Sequence, residues 1–345
     1  MGVTIGDVAR LAGVGRGTVS RVLNDRANVD PATRARVLAA IKELDFVPSQ
    51  TARRLSLRRT QTVAVIVPFL SRPSAIERFR GVEHALAAAG YDALVFNIET
   101  AERREAVFLE FPRRERVDGL IIVSLSPHPF EIERIVRSRL PTVLVDAHHR
   151  SLPRVVGNDV MGGRLAAQHV IGLGHRRIAF LGDYARTALA FTSSRLRLTG
   201  VRSVAKAAGI RLPPSLVGTG EHSRRRAAEL ATRMLSLPVP PTAIVCASDT
   251  QAAGVLEAAD HLGLRVPADL SVTGYDDLEL ADHLGLTTIH QPLFESGVRA
   301  VERLLRLLDG VPAGPLREVQ DISLVVRRST APPGGLALKQ EPAAS

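Results

Sequence analysis

Residues 3–24 read Val3-Thr-Ile-Gly-Asp-Val-Ala-Arg-Leu-Ala-Gly-Val-Gly-Arg-Gly-Thr-Val-Ser-Arg-Val-Leu-Asn24, and the spacing inside this run decides the architecture of the N-terminus. Thr4 followed three residues later by Asp7 resembles a capping box with aspartate in the usual glutamate position. Ile5, Val8, Ala9 and Ala12 then recur at helical spacing, which predicts a first helix over about 5–12. Gly13 suits the left-handed conformation that ends a helix, and with Val14 and Gly15 it makes a short turn into a second apolar pattern, Thr18, Val19, Val22 and Leu23. Two short helices joined by a glycine-containing turn make a helix-turn-helix. Further on, Asp30-Pro31 pairs an N-cap with proline at the first helical position. Val37, Leu38, Ile41 and Leu44 supply the stripe expected to cover the first two helices, in a third helix ending near Asp45.

The chain has 345 residues and a net charge of +10. Residues 1–60 hold eleven basic and five acidic side chains, so +6 of that excess lies in about a sixth of the length. A helix-turn-helix beside such a surplus points to a polyanionic partner. The competing reading is a small helical domain whose arginines are merely solvated.

The run from Val3 to Asn24, continued by Asp-Pro-x-Thr-Arg-x-Arg-Val from Asp30 to Val37, resembles the DNA-binding head of the lactose-repressor (LacI/GalR) family. That resemblance implies that the second helix enters the major groove with Arg16, Gly17 and Arg21 facing bases, where arginine can hold a guanine. Thr4, Thr18, Ser20, Asn24, Thr33 and Arg34 complete the set expected on the DNA, chiefly at phosphates, with caps and solvated surface as the alternative for each. Gly17 has no side chain to read a base, and Gly15 stands where the family usually has a serine. Phe46-Val-Pro-Ser-Gln-Thr-Ala-Arg-Arg-Leu-Ser56 resembles the family hinge, a helix too short to be stable alone. By the resemblance Leu55 wedges into the central base step, Ser49 and Ala52 lie close to the DNA, and Arg53, Arg54 and Arg58 sit near phosphate, with a linker leucine packed on the large domain as the alternative for Leu55.

From Thr62 onward, apolar runs at 62–67, 92–96, 119–123, 142–145, 177–181, 242–247 and 271–274 alternate with helical patterns, the signature of parallel sheets covered by helices. The strands are too many for one small doubly wound unit and suit two lobes with a cleft outside the carboxyl ends of the strands. The resemblance continues to about residue 330 through Arg80-Gly81, Val117-Asp-Gly-Leu-Ile121, Gly174-His-Arg-Arg-Ile178, Pro241-Thr-Ala-Ile244, Gly274-Tyr-Asp-Asp277 and Leu286-Thr-Thr-Ile289. It implies a periplasmic-binding-protein-like domain that takes a small polar, sugar-like effector. Carried over by position, the effector-facing candidates are Ser74, Ala75, Ser124, Asp146, Ser193, Arg197, Ser248, Asp276 and Gln291. Capping and structural ion pairing are the plain alternatives for Asp146, Asp276, Ser193 and Arg197. The family commonly has aromatics near Ser74 and Ala75, an asparagine where Ser248 stands, and Asp-Asn where this chain has Asn158-Asp159. With no tryptophan and 4% aromatics, strong stacking on a ligand ring is not expected.

The reading is therefore a small all-α helix-turn-helix head over 1–46, a hinge helix and linker over 47–61, an α/β two-lobed ligand-binding and dimerisation domain with parallel sheets over 62–330, and a disordered tail over 331–345. Its function is expected to be repression of a carbohydrate-utilisation operon by a homodimer on a near-palindromic double-stranded operator. Helical patterns at 80–89 and 298–308 are candidates for the dimer interface. A nucleobase-like effector or corepressor is the alternative, and a sugar-binding protein or sugar-acting enzyme a remote one. Apolar runs too short to span a membrane and no signal peptide lead to a cytoplasmic, nucleoid-associated expectation. No cofactor or metal is expected. His148-His149 are adjacent in a turn, His175 opens the Gly-His-Arg-Arg run, and Gly157, Gly162 and Gly163 lack phosphate-loop spacing. The one cysteine, Cys246, sits in a strand-like run and reads as a buried thiol.

Overall fold

A computed structural model describes residues 3–23, 29–46, 59–110, 116–184, 189 and 191–334. The chain divides into two compact units, Met1–Gln61 and Thr62–Ser345.

The first unit contains α1 (Ile5–Ala12), α2 (Arg16–Leu23) and α3 (Pro31–Glu43). The Asp7 carboxylate reaches back over the first turn, accepting from the Thr4 backbone N–H at 3.0 Å and the Thr4 hydroxyl at 2.7 Å. Gly13 closes α1 with φ +64°. Asp30 caps α3 by accepting from the Thr33 N–H at 3.0 Å. Val8, Ala9 and Ala12 of α1 meet Val19 and Val22 of α2 and Val37 and Ala40 of α3 in one buried cluster. Here the expected stripe needs a correction: Leu38 is 52% exposed and Ala40 takes its place. Steps of three and four residues from Val37 lead to Ala40, Ile41 and Leu44, whereas Leu38 lies a further 100° round the helix.

The second unit opens with β1 (Thr62–Pro68), α4 (Pro73–Ala88), β2 (Asp92–Ile98), α5 (Ala101–Glu110), β3 (Gly119–Val123), α6 (Pro129–Ser138), β4 (Thr142–Val145) and β5 (Arg154–Val156). The chain then crosses to a second lobe: α7 (Asp159–Gly172), β6 (Ile178–Asp183), α8 (Ser193–Ala207), β7 (Val217–Gly220), α9 (Arg224–Leu235), β8 (Ala243–Cys246), α10 (Asp249–His261), β9 (Ser271–Thr273), α11 (Glu279–Leu284) and β10 (Thr288–His290). It returns through α12 (Leu293–Leu308) and β11 (Arg317–Val319), and crosses again to β12 (Ser323–Val325). The first sheet has the order β11-β5-β4-β3-β1-β2 and the second β7-β6-β8-β9, all parallel. β10 and β12 form a separate antiparallel pair, an exception to the expectation of parallel sheets alone.

Both faces of the first sheet are buried, as a parallel sheet between helices requires. Val63, Val65 and Val67 pack with Val82, Leu86, Val301 and Leu304 on one side, and Ala64 and Ile66 with Phe108 and Ile135 on the other. The helices foreseen at 80–89 and 298–308 fall in α4 and α12, which pack on each other. A Cβ on Gly81 would lie 1.9 Å from the Phe294 carbonyl oxygen, and one on Gly297 2.2 Å from that of Arg78. Their facing surfaces are thus packed inside this unit, while Ile76 of α4 stays 40% exposed. α7 and α8 approach as closely: a Cβ on Gly163 would lie 2.0 Å from the Arg197 carbonyl oxygen and one on Gly200 2.1 Å from that of Val160.

Disorder is expected from residue 331, but residues 331–334 are ordered. The Ala331 carbonyl accepts from His175 Nε2 at 2.9 Å, and Pro333 lies 3.6 Å from the Cβ position of Gly174. His175 also bonds the hydroxyls of Thr242 and Ser271 at 2.8 and 3.0 Å, so this buried histidine pins the segment at Ala331 to the second sheet. Residues 335–345 lie outside the described residues. Among those described, no helix is long and apolar enough to cross a membrane. Cys246 is buried, and its surroundings push the thiol pKa up.

Candidate functional site

On the first unit, Thr4, Arg16, Gly17 and Arg21 are exposed, and Thr18, Ser20, Thr33 and Arg34 half-buried. Arg21 Nε donates to the Gly17 carbonyl at 3.1 Å, and Arg36 Nη2 to the Thr33 hydroxyl at 3.2 Å. The Arg16 guanidinium lies over α1, 3.0 Å from the Cβ position of Gly6 and near the Asp7 carboxylate. Asn24, Ser49, Ala52, Arg53 and Leu55 lie outside the described residues.

In the second unit a cavity enclosing about 620 Å³, its mouth included, opens between the lobes. Its walls come from the carboxyl ends of strands in both sheets, the position expected of a ligand site in open α/β sheets. Pro68 ends β1, Ser124 follows β3, Asp146 follows β4, Asp183 ends β6, and Ala247 and Ser248 follow β8. Ser74, Ala75 and Arg78 enter from α4, and Ser193, Ser194 and Arg197 from α8. Positive-φ backbone clusters in and beside this lining: Phe69, Ser124, Asp146 and Asp276 have φ of +44°, +53°, +50° and +112°. Left-handed backbone in four non-glycine residues around one cavity is the kind of strain that functional sites retain.

A chain of polar contacts runs along the cavity and behind its wall from one lobe to the other. Ser124 donates to Asp146 at 3.1 Å, and Arg78 Nη2 lies 3.2 Å from the same carboxylate oxygen. Arg78 Nη2 also donates to Gln291 Oε1 at 3.5 Å, and Gln291 Nε2 donates to Asp276 at 2.6 Å. Asp276 faces Arg197 at 3.8 Å, and Arg197 Nε donates to Asp159 at 2.8 Å. Arg197 further donates to the Ala247 carbonyl at 2.5 Å and stacks on Tyr275, 3.6 Å from the ring centroid. Burial opposes the Arg197 charge, but Asp159, Tyr275, Asp276 and Asp146 outweigh it and hold its pKa above the usual arginine value. Burial pushes the carboxyls of Asp159 and Asp276 upward, with Arg197 pulling the other way. Behind them Asp249, at the start of α10, is pushed up to about 7 by burial and by Asp276, against the Thr288 hydroxyl and Leu278 N–H that donate to it at 2.6 and 2.8 Å. The Arg78 Nε proton is buried and has no partner in the structure.

Eight of the nine effector-facing candidates line this cavity: Ser74, Ala75, Ser124, Asp146, Ser193, Arg197, Ser248 and Asp276. Gln291 does not. It backs Asp276 and borders two neighbouring cavities, because it stands at the crossover from β10 to α12. Ser248 has two roles, lining the cavity and capping α10 by accepting from the Gln251 N–H at 3.2 Å. Sequence reasoning missed Arg72, Arg78, Asp183, Phe191 and His222 in the lining and Asp159 behind it. Asp183 accepts from Gln251 at 2.9 Å and pairs with His222 Nδ1 at 3.0 Å. The Arg72 guanidinium stacks on Phe69 at 4.0 Å, with Phe191 beyond at 5.4 Å, so one wall is partly aromatic despite the low aromatic content. Arg78 had a legible signal: it shares the helix face of Ala75 and Val82, where a charge must find a buried partner. Among the described residues, no group of three or more His, Cys, Asp or Glu side chains is placed to hold a metal ion.

These features recur in known proteins. Residues 4–49 match bacterial regulatory proteins of the lacI family, and residues 167–330 a periplasmic binding protein-like domain. The chain is 38% identical over 307 residues to the ribose operon repressor of Escherichia coli K12, covering 88% of this chain and 92% of that protein. It is 34% identical to the HTH-type transcriptional repressor PurR of Photobacterium profundum, covering 88% of this chain and 91% of the other. The crystal structure of the lac repressor dimer bound to operator and the anti-inducer ONPF superposes with a TM-score of 0.84 at 30% identity, covering 96% of this chain and all of the other. With its head, its two-lobed second unit and near full-length likeness to these proteins, the chain belongs to the lacI family of bacterial regulatory proteins.

Proposed function

We propose that this protein is a transcriptional repressor that binds a near-palindromic operator as a homodimer and is controlled by a small sugar in the interlobe cavity. The cavity lining carries the reading: hydroxyls and paired charges from both lobes converge on it, and such groups grip ligand hydroxyls by charge-assisted hydrogen bonds. In the lining, Arg78 faces Asp146, Arg197 faces Asp276, and His222 faces Asp183. A neutral polyhydroxylated ligand fits internally matched charge better than an anion. A monosaccharide of the ribose type is the first candidate, since the relative at 38% identity is named for a ribose operon.

In this reading α2 enters the major groove with Arg16, Gly17 and Arg21 toward the bases, Thr4, Thr18, Ser20, Asn24, Thr33 and Arg34 hold phosphates, and Ser49, Ala52, Arg53 and Leu55 meet the minor groove at the operator centre. The protein works in the cytoplasm, on the nucleoid, and catalyses no reaction. The test is selection of genomic fragments by the purified protein at about 150 mM salt, where non-specific binding is suppressed, followed by titration with D-ribose and with nucleosides. A palindrome released or tightened by D-ribose supports the proposal. Absence of any enriched sequence, with and without these ligands, overturns the DNA reading, and a response to nucleosides alone replaces the sugar.

A further inference from the structure

Arg104 lies outside the cavity lining, on the buried face of α5 with Val107 and Phe108, and is 2% exposed. Its Nε and Nη2 donate to the two oxygens of Glu131 on α6, each at 2.7 Å. That forked pair neutralises both buried charges. The remaining donors reach two main-chain carbonyls, Nη2 to Ser126 at 2.8 Å and Nη1 to Leu189 at 2.9 Å. Ser126 lies two residues beyond Ser124 of the cavity wall, in the loop leaving β3.

Leu189 has a different origin. It belongs to the connection from β6 to α8, both elements of the second lobe, yet its side chain is 5% exposed within the first lobe's cluster of Phe108, Leu125 and Ile135. Two residues later the Phe191 ring stands 6.1 Å from Phe69 of the first lobe. Leu189 is therefore set in the core of one lobe, while Phe191, Ser193 and Ser194, which follow it in the chain, line the cavity. The bond from Arg104 to the Leu189 carbonyl does nothing to balance the buried charge, because Glu131 already does so. What it accomplishes is to join a cavity loop of one lobe to a cavity loop of the other.

We propose that Arg104 is a positioning residue for the effector site: by holding the carbonyls of Ser126 and Leu189 it fixes the two loops that bear Ser124 and Phe191, and so sets how tightly the cleft retains its ligand. The proposal rests on the effector reading of the cavity given above. Arginine is required for this role, since a lysine ammonium keeps the charge opposite Glu131 but cannot make a fork and reach two carbonyls from one planar group.

Two variants test it. Arg104→Lys keeps the charge, and Leu189→Ala leaves the Arg104–Glu131 pair intact, which guards against a misfolded first variant. In ligand-free protein, hydrogen exchange of the peptide holding Phe191, Ser193 and Ser194 speeds up by tenfold or more in both variants, while the peptide spanning α9 and β8 is unchanged. With D-ribose as probe, Kd rises about tenfold through a faster dissociation rate, and operator affinity without sugar stays the same. Unchanged exchange in the Phe191 peptide overturns the proposal, as does exchange rising equally across the whole second unit. A wild-type protein that takes no D-ribose counts against the sugar reading alone, because the ligand-free exchange still decides the role of Arg104.

Discussion

Arg16 and Arg21 stand on the exposed face of the first unit, whereas Arg78 and Arg197 are over nine-tenths buried between the lobes of the second, each already facing a carboxylate. An exposed arginine costs the fold little and contributes only when an anionic partner arrives, so its removal registers in binding. A buried, paired arginine is part of the fold before any ligand appears, and its removal strands the carboxylates around it. In the function proposed above, the same residue type thus serves recognition in one region and recognition plus stability in the other.

Arg197→Leu is the strongest way to break this contrast. It leaves Asp159 and Asp276 buried without their cation and should lower the stability of the second unit by about 3–5 kcal/mol in denaturant titration, with loss of the ligand response. Stability unchanged to within ~0.5 kcal/mol would place Arg197 with the surface arginines. Asp249 comes next. Its folded-state pKa, about 7, lies above the ordinary 3.8, so the folded chain holds this proton over that interval and stability falls as pH rises through it. A loss on the order of 2 kcal/mol between pH 5 and pH 8 is expected, and Asp249→Asn should flatten the slope. Arg21→Ala should leave the melting temperature unmoved while weakening operator binding roughly tenfold, and a falling melting temperature with intact operator binding would reverse its assignment. Leu38→Ser sits at the small end, within ~0.5 kcal/mol of wild type, since the side chain lies off the buried stripe.

The head was legible because its signals are local. Asp7, Gly13 and Asp30-Pro31 act within one turn of where they stand in the chain, and each takes its expected place in the structure. The seven apolar runs of the second unit are likewise strands. β5, β7, β10, β11 and β12 are only three or four residues long and mix polar or glycine positions with apolar ones, so no run stands out. The cavity was legible by resemblance at eight positions, but the partners of those residues were not. Arg78 meets Gln291 across 213 positions and Gln251 meets Asp183 across 68, contacts that exist only once distant stretches of the chain have folded together. What could have flagged Arg78 and Arg104 is the same anomaly, an arginine on the apolar face of an amphipathic helix, a place where it survives only with a buried partner.

The close approach of α7 and α8 bears on how motion leaves the cavity. α7 begins at the crossover between the lobes, with Asp159 as its first residue, and α8 carries Ser193, Ser194 and Arg197 on the cavity wall. With Gly163 and Gly200 each pressed on the other helix's backbone, the two cannot slip along one another without collision. They mesh like gears, and a displacement at the gripping end is expected to move the pair together toward the crossover. Even an added methyl group at either glycine would force the teeth apart.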